Sequence, residues 1–493
     1  VTLNIRSFLI MADPVDLAKQ VADATKAIGD LQTAANIVWT LVTGFLVMFM
    51  QLGFALLETG LTRAKNVTHT MGMNIFVYAI GILCFWVCGF ALQMGGVGAL
   101  ATFGNDAALS HEFVVHIAGK EFGLFGMSGF LLSPAVYTPA IAVLFLFQMV
   151  FMDTAATIPT GAMAERWKFL SFCLFSVLIA AFIYPLYANW VWGGGWLSLL
   201  GKNFGLGHGH VDFAGSSVVH MTGGVMAFVG AKLLGPRVGK YTKDGKVNTI
   251  PAHNIPMVVT GTLILAFGWF GFNPGSTLAG TDSRIALVAT NTMIASAAGA
   301  MTAGIYVWGR FGKPDVTMIC NGLLAGLVAI TGPCAFVSSA ASIVIGGVAG
   351  VLVVVAAVFV DQKLKIDDPV GAVAVHGVCG AWGIIGLGLF ANGTYGDGLN
   401  GVAGNVKGLL YGDSGQLVAS FIGVAVNVIW VGLTAYLGLK VVGALVGNRV
   451  STESEIEGLD AGEMGLPGYS SEPGHPLPPE LALSHAAEPS PAE

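Results

Sequence analysis

Residues 212–224 read DFAGSSVVHMTGG, and residues 368–380 read DPVGAVAVHGVCG. Both carry the frame Asp-x-x-Gly-x-x-x-Val-His, which sets His220 eight residues beyond Asp212 and His376 eight residues beyond Asp368. Each histidine falls inside a segment that otherwise reads as lipid-embedded helix. Ionisable residues at bilayer depth are costly and default to function. A frame that occurs twice asks for an account in terms of the whole chain.

That chain has 493 residues, 55% of them apolar and only 10% charged, with 69 glycines. A soluble domain carries about a quarter charged residues, so this is an integral membrane protein, and the glycines suit close helix packing. Apolar stretches of ~20 residues, long enough to span the hydrocarbon, occur near 35–60, 70–98, 138–163, 168–190, 214–233, 256–277, 285–308, 317–337, 341–360, 371–391 and 416–446. The fold class is therefore all-α and polytopic, with eleven transmembrane helices. An odd number puts the termini on opposite sides. Fifteen of the 22 Lys and Arg, among them Arg63, Arg166, Arg237 and Arg449, then share one side, and the positive-inside rule makes it the cytoplasm: N-terminus out, C-terminus in. The longer outer loop, 99–137, carries Asp106, Glu112 and Glu121 against a single lysine.

Around the helical region, 35–446, lie three further pieces. Residues 1–34 form an extension on the outer side; its first apolar run is too short for a secretory signal, and 12–34 reads as a short amphipathic or polar segment. Residues 447–469 form a cytoplasmic segment, acidic and turn-rich from 451, and the Pro/Ser/Glu-rich 470–493 is expected to be disordered. All six cysteines sit in or beside apolar segments, which argues against a disulfide framework. Cys84 and Cys88 share a helix face and read as packing. The net charge of −6 resides mainly in the tail and loops and points to no nucleic acid. No nucleotide-binding fingerprint appears, so any energy would come from gradients.

In this topology the fifth span enters from outside and the tenth from inside. Eight helical residues rise ~12 Å into a slab ~30 Å thick, so the two histidines meet within several Å in depth. Matched motifs running in opposite senses are what an inverted repeat predicts, here spans 1–5 and 6–10 with the eleventh extra, and a site at the midplane. Desolvation favours neutral imidazoles there. Two of them can share one hydrogen bond while each offers a further donor or acceptor, a lining suited to a small solute that both gives and accepts hydrogen bonds. Asp212 and Asp368 read as helix N-caps, with Asp212 also biasing the outer field toward cations. A membrane enzyme with a His/Asp-bound metal is the rival reading, but Asp212 would lie about 12 Å from His220 along one helix, too far for one ion. GHGH at 207–210 reads better as loop than as a weak surface metal site.

These stretches, together with GFALLETGLTRAKN (53–66), TAATIPTGAMAER (154–166), GWFGFNPGS (268–276), NGLLAGLVAITGPCAFV (321–337) and VHGVCGAWG (375–383), resemble the ammonium transporter (Amt/Mep/Rh) family, in its Amt branch, over about residues 35–470. The resemblance implies an eleven-helix protomer with its own pore, assembled as a homotrimer in the cell membrane and moving ammonium or ammonia; it implies no enzyme activity, cofactor or metal. It carries an outer recruitment site onto Trp192, Ser276 and Phe151, a phenyl gate onto Phe151 and Phe272, twin pore histidines onto His220 and His376, and a pore-lining tryptophan onto Trp269. The tail, Glu455 with Gly458, Leu459 and Asp460 through Gly465 to Tyr469, resembles a regulatory stretch that packs on the cytoplasmic face and helps a PII-type (GlnK-like) protein dock; Met464 stands where the family commonly has histidine. Ser216-Ser217 replace a common Gly-Gly or Gly-Thr pair. Asp153 has no family role, and a structural hydrogen bond to a neighbouring helix is expected of it. The other reading within the same fold is a sensor that binds ammonium and signals through a partner.

Overall fold

A computed structural model describes residues 14–104 and 108–469. The stretch expected to be disordered, 470–493, lies outside the described residues, as do residues 1–13 of the N-terminal extension. Among the described residues the chain is built from apolar helices: α1 (Pro14–Leu61), α2 (Ala64–Met94), α3 (Pro139–Met163), α4 (Phe169–Trp192), α5 (Ser216–Leu234), α6 (Ile255–Thr277), α7 (Ile285–Phe311), α8 (Val316–Thr331), α9 (Ser339–Gln362), α10 (Val373–Phe390) and α11 (Ser414–Val446). Ten of these are long and apolar enough to cross a membrane. The segment expected at 317–337 is a helix of only 16 residues, Val316–Thr331, because Gly332-Pro333 ends it early.

Two features depart from the expected outline. The boundary at 34/35 falls inside one continuous helix: α1 runs 48 residues from Pro14, whose fixed φ suits a first helical position. Its residues 17–32 stand exposed on every side. The loop 99–137 holds an antiparallel hairpin, β1 (Glu112–Ile117) and β2 (Lys120–Gly126), so the molecule is not all-α. Ala118 (φ 51°) and Gly119 (φ 76°) make the two-residue turn, whose left-handed pair matches the strand twist.

Helices meet where glycine removes the side chain. A Cβ at Gly261 of α6 would lie 2.5 Å from the Leu57 nitrogen, so α1 and α6 touch through their backbones. Beyond α11, two short helices, α12 (Thr452–Glu457) and α13 (Leu459–Met464), fold back under the bundle.

Candidate functional site

The two Asp…His frames do not start helices at their aspartates. Gly215 (φ 115°) and Gly371 (φ 79°) hold left-handed conformations that L side chains rarely adopt, and regular helix begins only after them. Each frame then winds through a π-helical turn, Ser216–Met221 or Val373–Val378, the kind of local widening often found at functional sites. The length of helix between each Asp and its His is thus shorter than the eight residues assumed from sequence. The aspartates still satisfy the helix starts, from upstream. Asp212 accepts the N–H groups of Gly215, Ser216, Ser217 and Val218 at 2.7–3.0 Å and the Ser217 hydroxyl at 2.7 Å. Asp368 accepts those of Val370, Gly371 and Val373 at 2.8–3.3 Å. Ser217, one of the pair that replaces glycine, therefore has a fixed role in the loop.

Glycine also brings the frames together. A Cβ on Gly224 would sit 2.1 Å from the Gly377 nitrogen, so α5 and α10 cross in backbone contact beside the histidines. The result is a hydrogen-bonded pair: His376 Nδ1 lies 3.2 Å from His220 Nδ1, both rings being buried. One Nδ1 must donate and the other accept. In a neutral pair this leaves one Nε2 as an N–H donor and the other as a bare acceptor. His220 Nε2 has no protein partner among the described residues.

Aromatic rings continue the line. Above the pair, Phe272 stacks on His220 with centroids 5.2 Å apart, and Phe151 stacks on Phe272 at 4.1 Å. Trp269 flanks His220 at 5.2 Å and is oriented by a 2.9 Å bond from its Nε1 to Thr331 Oγ1. Over Phe151 opens a cavity of about 420 Å³, lined among others by Phe147, Gln148, Trp192, His210, Ser276 and Tyr395. Trp192 meets Phe151 edge-on at 6.1 Å and donates to the Asp212 carbonyl at 2.7 Å. Ser276 donates to the Phe272 carbonyl at 2.8 Å, leaving its oxygen lone pairs as acceptors. The four residues expected at an outer site and gate, with Trp269, thus form one continuous group with the histidines. Asp153 differs from expectation: it is buried, and its Oδ1, 3.9 Å from where a Cβ on Gly81 would stand, has no hydrogen-bond partner among the described residues. The GHGH histidines are buried rather than at the surface; His208 Nε2 lies 2.8 Å from the Gly404 carbonyl and His210 Nε2 lies 2.9 Å from Ser217 Oγ.

Below His376 is a second, small cavity, with about 20 Å³ open to the centre of a water-sized molecule, room for one such molecule. Phe54, Leu57 and Val370 make it apolar, and Glu58 and Asn321 reach into it. Sequence reasoning does not single out Glu58. The available signal was a lone carboxylate inside an apolar span.

The tail residues lie together on the face opposite the large cavity. Glu455 accepts from Val238 N and from Arg449 Nη2, both at 2.6 Å, while Lys65 donates to its carbonyl at 2.8 Å. Gly458 (φ 116°) lets the chain pass against Lys65, where a Cβ would meet the carbonyl oxygen at 2.6 Å. Leu459 N donates to Asn66 Oδ1 at 2.9 Å, and Asp460 Oδ1 accepts from His69 N at 2.9 Å. Tyr469 OH lies 2.8 Å from His253 Nε2, and Met464 packs on Gly72. Beside this tail, Arg237 bridges Asp367 at 2.8 Å and Glu165 at 2.8 Å. Burial disfavours the Asp367 charge, but the bonds and charge of Arg237, with Arg166, outweigh it and hold that carboxyl at about 2.

A sequence model described as Ammonium Transporter Family matches residues 38–469. Ammonium transporter Amt2 of Archaeoglobus fulgidus is 44% identical, with 88% of each chain covered. Ammonium transporter Amt1 of Haloferax mediterranei is 39% identical, over 88% of this chain and 79% of that protein. Among solved structures, one named Sensor Amt Protein superposes with a TM-score of 0.76 at 34% identity, covering 88% of this chain and 99% of the other. Mep2 of Candida albicans superposes at 0.71 and 27% identity, covering 85% and 87%.

Proposed function

Since the chain belongs to the ammonium transporter family and is a multi-pass membrane protein, we propose that it conducts ammonium across the cell membrane as ammonia, through the line of residues that ends in the histidine pair. Ammonium enters the outer cavity and sheds water against the Trp192 and Phe151 rings, whose faces attract a cation most strongly when it is desolvated. It donates one hydrogen bond to the free lone pairs of Ser276. It gives up its proton to water at or below the Phe151–Phe272 pair, a dry constriction that a hydrated cation passes poorly. Ammonia, which both donates and accepts, then passes Trp269, His220 and His376. Potassium, similar in size, cannot deprotonate and makes no directional hydrogen bonds, and selectivity follows. Asp212 and Asp368 fix the two frames, and Asp212 adds negative potential near the outer cavity.

The observation that carries this reading is the 3.2 Å contact between two buried imidazoles supplied by separate, matching frames. It is most simply made by an inverted repeat of spans 1–5 and 6–10 in an eleven-span protomer, N-terminus out and C-terminus in, with α8 crossing despite its length. The bound tail, Glu455 to Tyr469, is the regulatory element and a docking face for a PII-type protein, and the protomers form a trimer. The 34% identity to a structure named Sensor Amt Protein favours a second reading, in which the same site binds ammonium and signals with little flux.

Ammonium and potassium pulses on proteoliposomes adsorbed to a solid-supported membrane test both. Wild-type protein should give ammonium-driven flux and none with potassium, and His220→Ala and His376→Ala should lose either flux or that discrimination. Unchanged selective uptake in both variants would overturn the pore reading. Ammonium binding without uptake in wild type would favour the sensor.

A further inference from the structure

We propose that Glu58 is the inner proton donor of this pore: ammonia that has passed His376 takes its proton back from the Glu58 carboxyl in the small cavity the two residues share. The inference rests on the reading of the histidine line as an ammonia path. Glu58 is 2% exposed and, among the described residues, no Lys, Arg or His nitrogen forms an ion pair with it. A buried carboxylate without a cation is costly, whereas a carboxylic acid there is not. The cavity has room for one water-sized molecule and, apart from Asn321, its only polar lining is His376 and Glu58, so a molecule in it lies among both.

The hydrogen bonds around Glu58 accommodate both of its charge states. Asn74 Nδ2 donates to Oε2 at 2.9 Å. Thr160 Oγ1 lies 2.9 and 2.8 Å from the two carboxyl oxygens but also 2.5 Å from the Thr157 carbonyl. Its single hydrogen cannot serve both. When Thr160 donates to Thr157, its oxygen accepts the proton of a carboxylic acid at Glu58; when Glu58 is ionised, the hydroxyl turns to donate to it. Asp368 and His376 are the other titratable groups facing Glu58: Asp368 acts on it electrostatically, and His376 shares its cavity.

The step balances simply. The Glu58 O–H bond breaks, the ammonia lone pair forms a fourth N–H bond, and ammonium leaves toward the cytoplasm. The carboxylate then takes a proton from cytoplasmic water, which restores the acid. Glu58→Gln keeps the shape, and its amide can still accept from Asn74 and Thr160, but it carries no transferable proton.

The test is ammonium uptake into oriented proteoliposomes at several pH values on the cytoplasmic side, for wild type, Glu58→Gln, Glu58→Asp and His376→Ala. Glu58→Gln should lower uptake at least about tenfold, a modest share of what a positioned acid supplies, and abolish its dependence on cytoplasmic pH; Glu58→Asp should restore part of both. Should Glu58→Gln fail to fold, ammonium-induced infrared difference spectra of wild type take its place: loss of a protonated-carboxyl band is expected, and no carboxyl change would overturn the proposal. Wild-type uptake that His376→Ala abolishes and Glu58→Gln leaves unchanged, pH dependence included, overturns this inference alone. Wild-type protein that takes up no ammonium removes the pore reading and this one with it.

Discussion

The outer and inner Asp…His frames share a backbone device and differ in what surrounds it. Both place a left-handed glycine before a six-residue π-helical turn and bring a histidine to the same point. The outer frame faces a cavity of about 420 Å³ rimmed with aromatic rings; the inner one faces about 20 Å³ holding a single carboxylic side chain. Their aspartates differ too, five accepted hydrogen bonds at Asp212 against three at Asp368. The device that delivers a histidine is duplicated, while the approach to it is not. Symmetry of frame with asymmetry of approach is what a pore needs if the solute is stripped at one end and released at the other.

The aspartates offer the largest effect by which to break that comparison. Each buried donor left without an acceptor costs about 1–3 kcal/mol. Asp212→Ala strands four N–H groups of a helix start and should destabilise the protein by at least about 4 kcal/mol, among the large values for single substitutions. Asp368→Ala strands three, with longer bonds, and should cost roughly 3 kcal/mol. Thermal unfolding of the purified protein in detergent measures both. Equal losses would mean that the two frames are mechanically equivalent after all.

A smaller effect separates the faces by their covering. The inner face is roofed by the tail, and Glu455 is its main anchor through Val238 and Arg449. Glu455→Ala should loosen the tail by about 2 kcal/mol, since it strips the partner from a largely buried ion pair and hydrogen bond. Hydrogen exchange over 452–469 should then speed up by about 30-fold, while exchange over the outer frame, 212–224, stays as it was. Faster exchange in both would show that tail and outer frame unfold as one unit.

How far this asymmetry is legible in the sequence depends on the kind of interaction. The spans are legible, because continuous apolar runs of bilayer length have few other uses, and so is the histidine pairing, because the frame repeats. The glycines inside the frames carried the information that helix starts late, yet a glycine in an apolar run is also ordinary helix packing, and only its positive φ separates the two. The hairpin at Glu112–Gly126 is hidden by its own brevity, six and seven residues set in a long loop. The extension of α1 is hidden because it is exposed all round and lies outside the apolar run that marks the span, although its Ala, Lys and Gln residues are good helix formers. Glu58 is visible as a lone acid, but its facing the small cavity beside His376 depends on how α1 packs in the bundle, and no local pattern states that.

The smallest expected effect concerns pH, and it has opposite signs on the two faces. On the side of the large cavity Glu112 in β1 is partly buried, and burial pushes its carboxyl from 4.5 up to about 7, with the Asn189 hydrogen bond offsetting only part. The folded state therefore holds that proton over a window in which the unfolded chain has released it, and stability falls as pH rises from 4.5 to about 7. On the inner side Asp367 is held at about 2, below its usual 3.8, so its contribution is fully present above 3.8 and disappears only as pH drops from there through about 2. Between pH 5 and 7 the hairpin should loosen while the Arg237 cluster does not change. Exchange over residues 112–126, corrected for the intrinsic rate, should rise relative to that around 235–240 across this interval, and Glu112→Gln should flatten the dependence. Because Glu112 remains partly solvated, the change should be smaller than that of either substitution above. A parallel rise on both faces would place the titrating group outside the hairpin and remove this distinction between the two sides.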